Sequence, residues 1–598
     1  MKNVRRLLSI ILILSIILVP TIASANSNDF TVKSKVALLH FNPELGNVGY
    51  NVNKLKELTH EALENGANIV VTPEFSTTGY CITKQQSLDG LGFRYPYPEL
   101  DEIRDLAIAY KAYVIIAIVE ISSDSKVYNT VVTFGPQGLI RTQDKRSIPL
   151  WHESGKIPFD IIPTPYGDLG TLICADTYSP DWTRILALKG ADIILTPANW
   201  WGRDNQEQTW QIRAKENGVW LLVANRWGYE YDTQYGYECY MNDAPSVAIN
   251  PDGNILQLHR AEDDLEPKDT ILYQDVTVPK YRIGTKTNLT YSVMERAPSA
   301  YTGIDSGYYG KNAGYPQVPG LPAPGDIKIA SLAYKPSFSG QKNISTIQSL
   351  WAQRTADVVV LPGLGITNEP INSDNTGWNT ASPWSALQNF VESNSISLLV
   401  TTVNERTGND FHQSLLLIEP GKAPRLIPQI HDGLNFKGSG NSPVVLDLLS
   451  ARIGILTGHD ALFPETVTSL AKSGIDLLII SSTAGTGINY NNILNINYLW
   501  DINSLKTLWK VRTNETFHLA ASDWTGNGML IKNSGYIEDL KETTDTNPVE
   551  VMTVNTGSVR NKYLNDYYQY DISTLTAPNT NLENNILPLI PSCKSATP

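Results

Sequence analysis

The sequence predicts an α/β protein whose plan is written twice. Short apolar, β-branched runs alternate with amphipathic helical patterns, as in a layered α/β fold. The same ordered set of segments returns at a spacing of about 290 residues, far too long for a solenoid of short units. A stretch rich in Gly, Pro and Tyr, residues 301–326, separates the two sets and reads as a linker.

In the first set, VALLHF (36–41) reads as a strand. A helix follows over 51–66, with Leu55, Leu58, Ala62 and Leu63 near helical spacing and Gly66 as the stop. NIVVTP (68–73), YVIIAIVEI (113–121), NTVVTFG (129–135), LGTLICA (169–175), ADIILTP (191–197) and VWLLVAN (219–225) are further strands. DWTRILALKG (181–190) is a helix leading into one of them. Polar or reactive residues at the C-terminal ends of such strands fit a site at the sheet edge.

The repeat is read from five ordered pairs. KVALLHFNP (35–43) pairs with KIASLAYKP (328–336), and ANIVVTPEF (67–75) with ADVVVLPGL (356–364). GTLICADTYSPD (170–181) pairs with GILTGHDALFPE (454–465), and GADIILTPANW (190–200) with GIDLLIISSTA (474–484). TWQIRAKE (209–216) pairs with LWKVRTNE (508–515). The expected boundaries are a leader at 1–25, a first copy at 30–285, a linker at 286–325, a second copy at 326–556 and a polar tail at 557–598.

The chain has 598 residues, 42% hydrophobic and 18% charged, enough for large cores in each copy. Its net charge of −13 argues against nucleic acid or an anionic membrane as the main partner. Lys2, Arg5 and Arg6, then LLSIILILSIILV, then Ala23–Ala25 as a small-residue cleavage site, form a secretory signal. The expected location is therefore outside the cytoplasm, with an uncleaved leader as the alternative anchor. The four cysteines, Cys81, Cys174, Cys239 and Cys593, are too sparse for a disulfide framework and lack metal-ligand spacing. No metal or cofactor is expected.

Four residues could carry chemistry. Glu74 follows VVTP, Lys145 lies in RTQDKRSIP, Glu153 comes eight residues later in PLWHESG, and Cys174 ends LGTLIC. Cys174 alone could be an inert core residue, half of a disulfide or a nucleophile. Lys145 and Glu153 alone would be solvated surface charges, and Glu74 a turn residue. Together and in this order they resemble the carbon–nitrogen hydrolase (nitrilase) superfamily. TPEFSTTGY, DKRSIPLWHE, LGTLICADTYSPDW, GADIILTPANWW and RAKENGVWLLVANRWG carry the resemblance, well over 33–280 and more weakly over 326–555.

That resemblance implies two α-β-β-α sandwich domains in tandem and a Glu–Lys–Cys triad of Glu74, Lys145 and Cys174. The chemistry is coherent. A thiol attacks a C–N carbon as thiolate, so it needs a base, here Glu74. The oxyanion that forms needs a fixed cation and a backbone N–H, here Lys145 and Ala175. Glu153 is expected to hold Lys145 charged or to orient the substrate. The acyl-enzyme on Cys174 is then hydrolysed, Glu74 acting on the leaving amine and then on water. A Cys-x-Asp pattern, as in CAD, follows the amidase habit, whereas family nitrilases carry Trp–Glu there.

The function this implies is a secreted hydrolase of a linear amide or N-carbamoyl bond in a small molecule. Nitrile hydrolysis and acyl transfer to an amine remain alternatives on the same triad. A non-catalytic binding or scaffold protein is the alternative from another class. Tyr80, Trp151, Trp200 and Trp201 either line the pocket or pack as ordinary aromatics. His152 suggests a Cys–His dyad that the family pattern does not need. Cys81 and Cys239 could bridge loops near the site, a pairing that sequence leaves open. Arg213 and Glu216 recur as Arg512 and Glu515, which suggests a structural ion pair in each copy. The second copy has Gly363 for Glu74, Gly458 followed by His459 for Cys174, and Gln429 or a neighbour for Lys145. It is expected to be catalytically silent, and to face the first copy as an intramolecular pseudo-dimer.

Overall fold

In the first half of this computed structural model, residues 31–279, two six-stranded sheets face each other. The strands in chain order are β1 (Thr31–His40), β2 (Ile69–Val71), β3 (Tyr113–Ile121), β4 (Val127–Gly135), β5 (Gly138–Asp144), β6 (Ile162–Thr164), β7 (Gly167–Thr171), β8 (Ile193–Pro197), β9 (Trp220–Ala224), β10 (Tyr229–Asp232), β11 (Tyr237–Tyr240), β12 (Ser246–Ile249), β13 (Ile255–His259) and β14 (Thr270–Pro279). One sheet runs β14-β1-β2-β3-β4-β5 and the other β13-β12-β9-β8-β7-β6, while β10 and β11 form a separate hairpin. Pairing is parallel along β1-β2-β3 and along β7-β8-β9, and antiparallel elsewhere.

The structure describes residues 31–146, 151–155, 159–201, 206–233, 236–279, 296–302, 304, 318–366, 371–372, 382–407, 410–432, 437–484, 500–535, 537–560 and 562. The signal (1–25) and all but the start of the tail (557–598) lie outside them.

The strands are apolar on both faces because both faces are covered. In β1, Val36 and Leu38 point between the sheets, while Ala37 and Leu39 point to the outer helices. Ile69 and Val71 against Val70, and Ile115 and Ala117 against Val114 and Ile116, repeat the period of two. Helices α1 (Val48–Glu64) and α2 (Asp101–Tyr110) cover the first sheet. Asn47 caps α1, and the Gly66 N–H donates to Leu63 O at 2.9 Å with φ 81°, ending it where glycine is needed. Helices α3 (Pro180–Lys189) and α4 (Gln206–Asn217) lie on the second sheet.

The second half contains β15 (Asp326–Leu332), β16 (Val358–Val360), β17 (Ile371–Asn372), β18 (Leu398–Thr407), β19 (Asp410–Ile418), β20 (Arg425–Pro428), β21 (Val444–Leu448), β22 (Ala451–Thr457), β23 (Leu477–Ser482), β24 (His518–Asp523), β25 (Asn527–Asn533), β26 (Ile537–Glu542) and β27 (Val549–Asn555). Its sheets run β20-β19-β18-β16-β15-β27 and β21-β22-β23-β24-β25-β26, the same order strand for strand, with β17 added beside β18. Helices α5 (Gly340–Trp351) and α6 (Ser382–Ser393) cover the first of these, and α7 (Pro464–Lys472) and α8 (Ile502–Arg512) the second.

The sequence of α4, QEQTWQIRAKEN, is polar on most sides, yet eight of its residues are buried. All nine residues of α7 are buried as well. The two facts have one cause: α3 packs on α7 and α4 on α8, so the polar helices bury one another. Ile212 of α4 belongs to the core of the second half. The expected linker is only partly a connector. Ala300, Tyr301 and Ile304 are buried, and the Tyr301 hydroxyl lies 3.1 Å from His431 Nε2. Its apolar side chains dock where a purely polar linker would not. Among the described residues, no helix is long and apolar enough to cross a membrane.

Candidate active site

Glu74, Lys145 and Cys174 each follow the C-terminal end of a strand: β2, β5 and β7 respectively. The two facing sheets bring them together. Lys145 Nζ donates to Glu74 Oε1 at 2.6 Å. Asn129 Nδ2, on β4, donates to the same oxygen at 2.7 Å. Glu74 is 0%, Lys145 4% and Cys174 7% exposed, so water screens this pair little. Glu74 Oε2 is buried without a protein hydrogen-bond partner.

Backbone geometry holds each residue. The Glu74 N–H donates to Ala198 O at 3.1 Å, and the Lys145 N–H to Asn129 O at 2.8 Å. Phe75 (φ 50°) and Cys174 (φ 46°) both sit in the left-handed region, a strain that marks sharp turns at sites. Cys174 opens a single turn, Cys174–Tyr178, that leads into α3. Asp176 braces it: its carboxylate accepts from the Ile173 N–H and the Arg146 N–H, each at 3.1 Å. Asp176 thus ties the lysine strand to the cysteine turn.

Burial pushes the Cys174 thiol well above its usual range, and the Glu74 carboxylate adds to that shift. Lys145 and a hydrogen bond from the Asn199 backbone pull the other way. The resting thiol is therefore protonated, with a carboxylate beside it to take the proton during attack. Burial would lower Lys145, but Glu74 first and Cys174 second raise it, so the ammonium stays charged. The site combines a thiol, a base and a fixed cation, the set that acyl transfer through sulfur needs.

The family profile for carbon–nitrogen hydrolases matches residues 35–281. A nitrilase of Pyrococcus abyssi is 32% identical over 201 residues, covering 33% of this chain and 76% of its own length. The chain belongs to the carbon–nitrogen hydrolase family. This carbon–nitrogen hydrolase is also similar to the N-carbamoylputrescine amidase of Oryza sativa subsp. japonica, 27% identical over 237 residues, with 36% of this chain and 78% of the relative covered. An amidase structure from Nesterenkonia sp. AN1, with acrylamide added at its active-site cysteine, aligns with a TM-score of 0.36 at 19% identity, covering 41% of this chain and 93% of that one. The protein is an enzyme that hydrolyses C–N bonds.

Other expected site residues fall differently. Glu153 does not hold Lys145: its side chain is 42% exposed and pairs with Lys84 Nζ at 3.3 Å. Its backbone N–H donates to Val127 O at 2.8 Å, and that register sends the carboxylate outward. Ala175 follows Cys174 within the turn. Tyr80, Trp151 and Trp201 gather with Phe75, Trp151 stacking on it at 5.7 Å and Trp201 meeting Tyr80 at 5.0 Å. Trp200 instead packs in the inter-sheet core against Tyr178 and Trp210. His152 is buried, and burial then Lys145 lower it to about 3, so it stays neutral. Its Nδ1 meets Glu153 O at 3.1 Å. Cys81 and Cys239 are free thiols with sulfurs 3.4 Å apart.

Sequence reasoning missed Asn129, Asp176 as a brace, and Asn199. Asp176 had a signal, because it recurs as Asp460 in GHDAL. Asn199 is fully buried, and neither its Nδ2 nor its Oδ1 has a partner.

The second half departs at each reacting position. Gly363 and Gly458 replace Glu74 and Cys174, and Gln429 stands at Lys145, its N–H donating to Gln413 O as Lys145 does to Asn129 O. A Cβ at Gly363 would lie 2.3 Å from Ser482 O, and one at Gly458 2.3 Å from Ser482 Oγ. The expected Arg512–Glu515 pair does not form. Arg512 Nη1 reaches Glu216 Oε2 at 2.7 Å, and Glu515 accepts instead from Thr468 Oγ1 at 2.6 Å.

Proposed function

We propose that the first half hydrolyses a linear amide or N-carbamoyl bond of a small molecule through a thioester on Cys174. The observation that carries this is the 2.6 Å contact of Lys145 with Glu74 beside the buried Cys174 sulfur. Glu74 takes the thiol proton as sulfur attacks the carbonyl carbon. Lys145 and the Ala175 N–H stabilise the oxyanion, and the Asn199 N–H, already at the sulfur, is a further donor there. Glu74 passes its proton to the departing amine, then activates the water that splits the thioester. Glu153, paired with Lys84, takes no part in charging Lys145.

Amide is favoured over nitrile because Ala175 and Asp176 after Cys174 make the amidase-like Cys-x-Asp pattern, where family nitrilases carry Trp–Glu. The reading extends to the whole chain. The two halves are tandem copies, the second silent, and α3 and α4 against α7 and α8 form a pseudo-dimer within one polypeptide. The leader sends the protein out of the cytoplasm.

The test is incubation with a panel of amides, nitriles and carbamoyl compounds, reading ammonia release and intact mass. Amide or carbamoyl turnover with a transient adduct, lost in Cys174→Ala, is expected. Turnover that survives Cys174→Ala overturns the assignment, and release from nitriles alone corrects the bond.

A further inference from the structure

We propose that Arg512, in the second half, is a positioning residue for Cys174, acting through Glu216 and Arg213. The inference rests on the reading of Cys174 as nucleophile. The chain of contacts starts at the strained turn. Arg213 of α4 donates to its last carbonyls, Nε to Thr177 O at 3.2 Å and Nη2 to Tyr178 O at 2.7 Å. Trp210, one turn earlier on α4, donates to Thr177 Oγ1 at 2.9 Å, and that hydroxyl donates to Cys174 O at 2.8 Å. Helix α4 therefore holds the turn that keeps Cys174 at φ 46°.

The third nitrogen of the Arg213 fork, Nη1, donates to Glu216 Oε1 at 2.8 Å. Glu216 is fully buried, and its other oxygen meets Arg512 at 2.7 Å. Arg512 is the counterpart of Arg213 in the repeat and makes the same clamp in its own half, donating to Ala461 O and Leu462 O at 3.2 and 3.0 Å. Its remaining arm crosses to the first half. A second crossing supports α4 nearby: Arg184 donates to Glu216 O at 3.2 Å and meets Glu465 Oε1 of α7 at 3.2 Å. Without the Arg512 charge, the buried Glu216 would draw harder on Arg213, the cation that hydrogen-bonds its carboxylate, and pull that fork off the turn.

The test uses the full chain with Arg512→Gln, Arg512→Lys and Glu515→Gln. Two readouts are needed: kcat and KM on the best amide, and the rate at which iodoacetamide alkylates Cys174, followed on its own peptide. In Arg512→Gln, kcat and the alkylation rate should fall together by about tenfold, with KM within about twofold. Arg512→Lys keeps the charge and should stay within about threefold of wild type. Glu515→Gln alters the same buried cluster without removing a hydrogen bond or ion pair of this chain of contacts, and should leave both rates within about twofold. A folded Arg512→Gln with both rates unchanged overturns the proposal, as does an equal loss in Glu515→Gln or a tenfold loss in Arg512→Lys. Should Arg512→Gln not fold, Arg512→Gln/Glu216→Gln leaves no bare carboxylate to draw Arg213 off the turn and should keep both rates within about threefold of wild type, a tenfold loss there overturning the proposal. If wild type turns over no amide, the functional reading fails, while the alkylation rates still decide the positioning role.

Discussion

Glu74 and Gly363 occupy the same place after the second strand of their halves, and so do Cys174 and Gly458 one sheet across. What surrounds them is shared. Asp460 accepts from the Ile430 N–H at 3.1 Å as Asp176 does from the Arg146 N–H. Leu364 keeps the positive φ of Phe75, 58° against 50°. Arg512 clamps its turn as Arg213 does. What differs is every group that could move a proton or carry a charge at the centre. Glu, Lys and Cys have become Gly, Gln and Gly, and Ser482 with the Thr483 methyl occupies the space that side chains at Gly363 and Gly458 would need. Gly458 would bear no Cβ penalty in the left-handed region, yet it lies outside it. The strain at Cys174 is thus present where sulfur must be presented and relaxed where there is none to present. The bracing of a strand-end turn and the chemistry it supports are separable: the second half retains the first without the second.

The largest expected contrast lies at the two cysteine positions. Cys174→Ala should reduce ammonia release to background and remove any covalent adduct. Gly458→Cys in that background should restore nothing, because its Cβ would meet Ser482 Oγ at 2.3 Å. Activity regained there would break the comparison.

Next comes the base. Glu74→Gln keeps the shape but cannot take the thiol proton, so kcat/KM should fall by about 10²–10⁴-fold in steady-state assays. Lys145→Met leaves the Glu74 charge buried and unpaired. Chemical denaturation should show a loss of about 3–5 kcal/mol, together with loss of turnover.

A smaller effect tests the closed site. Gly363→Ala forces a Cβ against Ser482 O and Thr483 Cγ2 and should cost about 1–3 kcal/mol, with kcat on the best amide unchanged.

The smallest sharpens the asymmetry between Glu216 and Glu515. Burial lifts Glu515 from 4.5 to about 7, outweighing Thr468, Arg512 and Arg213. The folded state therefore holds this proton more tightly than the unfolded chain does. The group's contribution to stability is full below pH 4.5 and is lost as pH rises through 7. Glu515→Gln stays neutral, so its stability should exceed wild type increasingly from about pH 5 to 8, by up to about 3 kcal/mol in denaturation curves.

Much of this was legible before any coordinates. Val36–Phe41, Ile69–Val71 and Tyr113–Ile121 read as strands because runs buried on both faces are apolar throughout, a local property. The shared strand order of the two halves was legible for the same reason, since each half must bury the same faces. Glu74, Lys145 and Cys174 were legible through motif and order. Of the two roles expected of Glu153, holding Lys145 was not met, because spacing from Lys145 says nothing about which way a strand register turns a carboxylate. Asn129 gave no signal, as an asparagine opening a strand is unremarkable until the glutamate it meets, 55 residues away in sequence, is beside it.

By itself the sequence determined where the strands and turns lie, which three side chains end them, and that the second set lacks those side chains. These follow from periodicity and residue type, which act over a few neighbours. Only the tertiary structure decided that Glu153 turns away to Lys84, that the Asn199 carboxamide is buried without a partner, and that Arg512 crosses to Glu216 in place of its own Glu515. Those are matters of distance between residues far apart in the chain, where a displacement of an ångström or two decides which of several equally suitable partners is met.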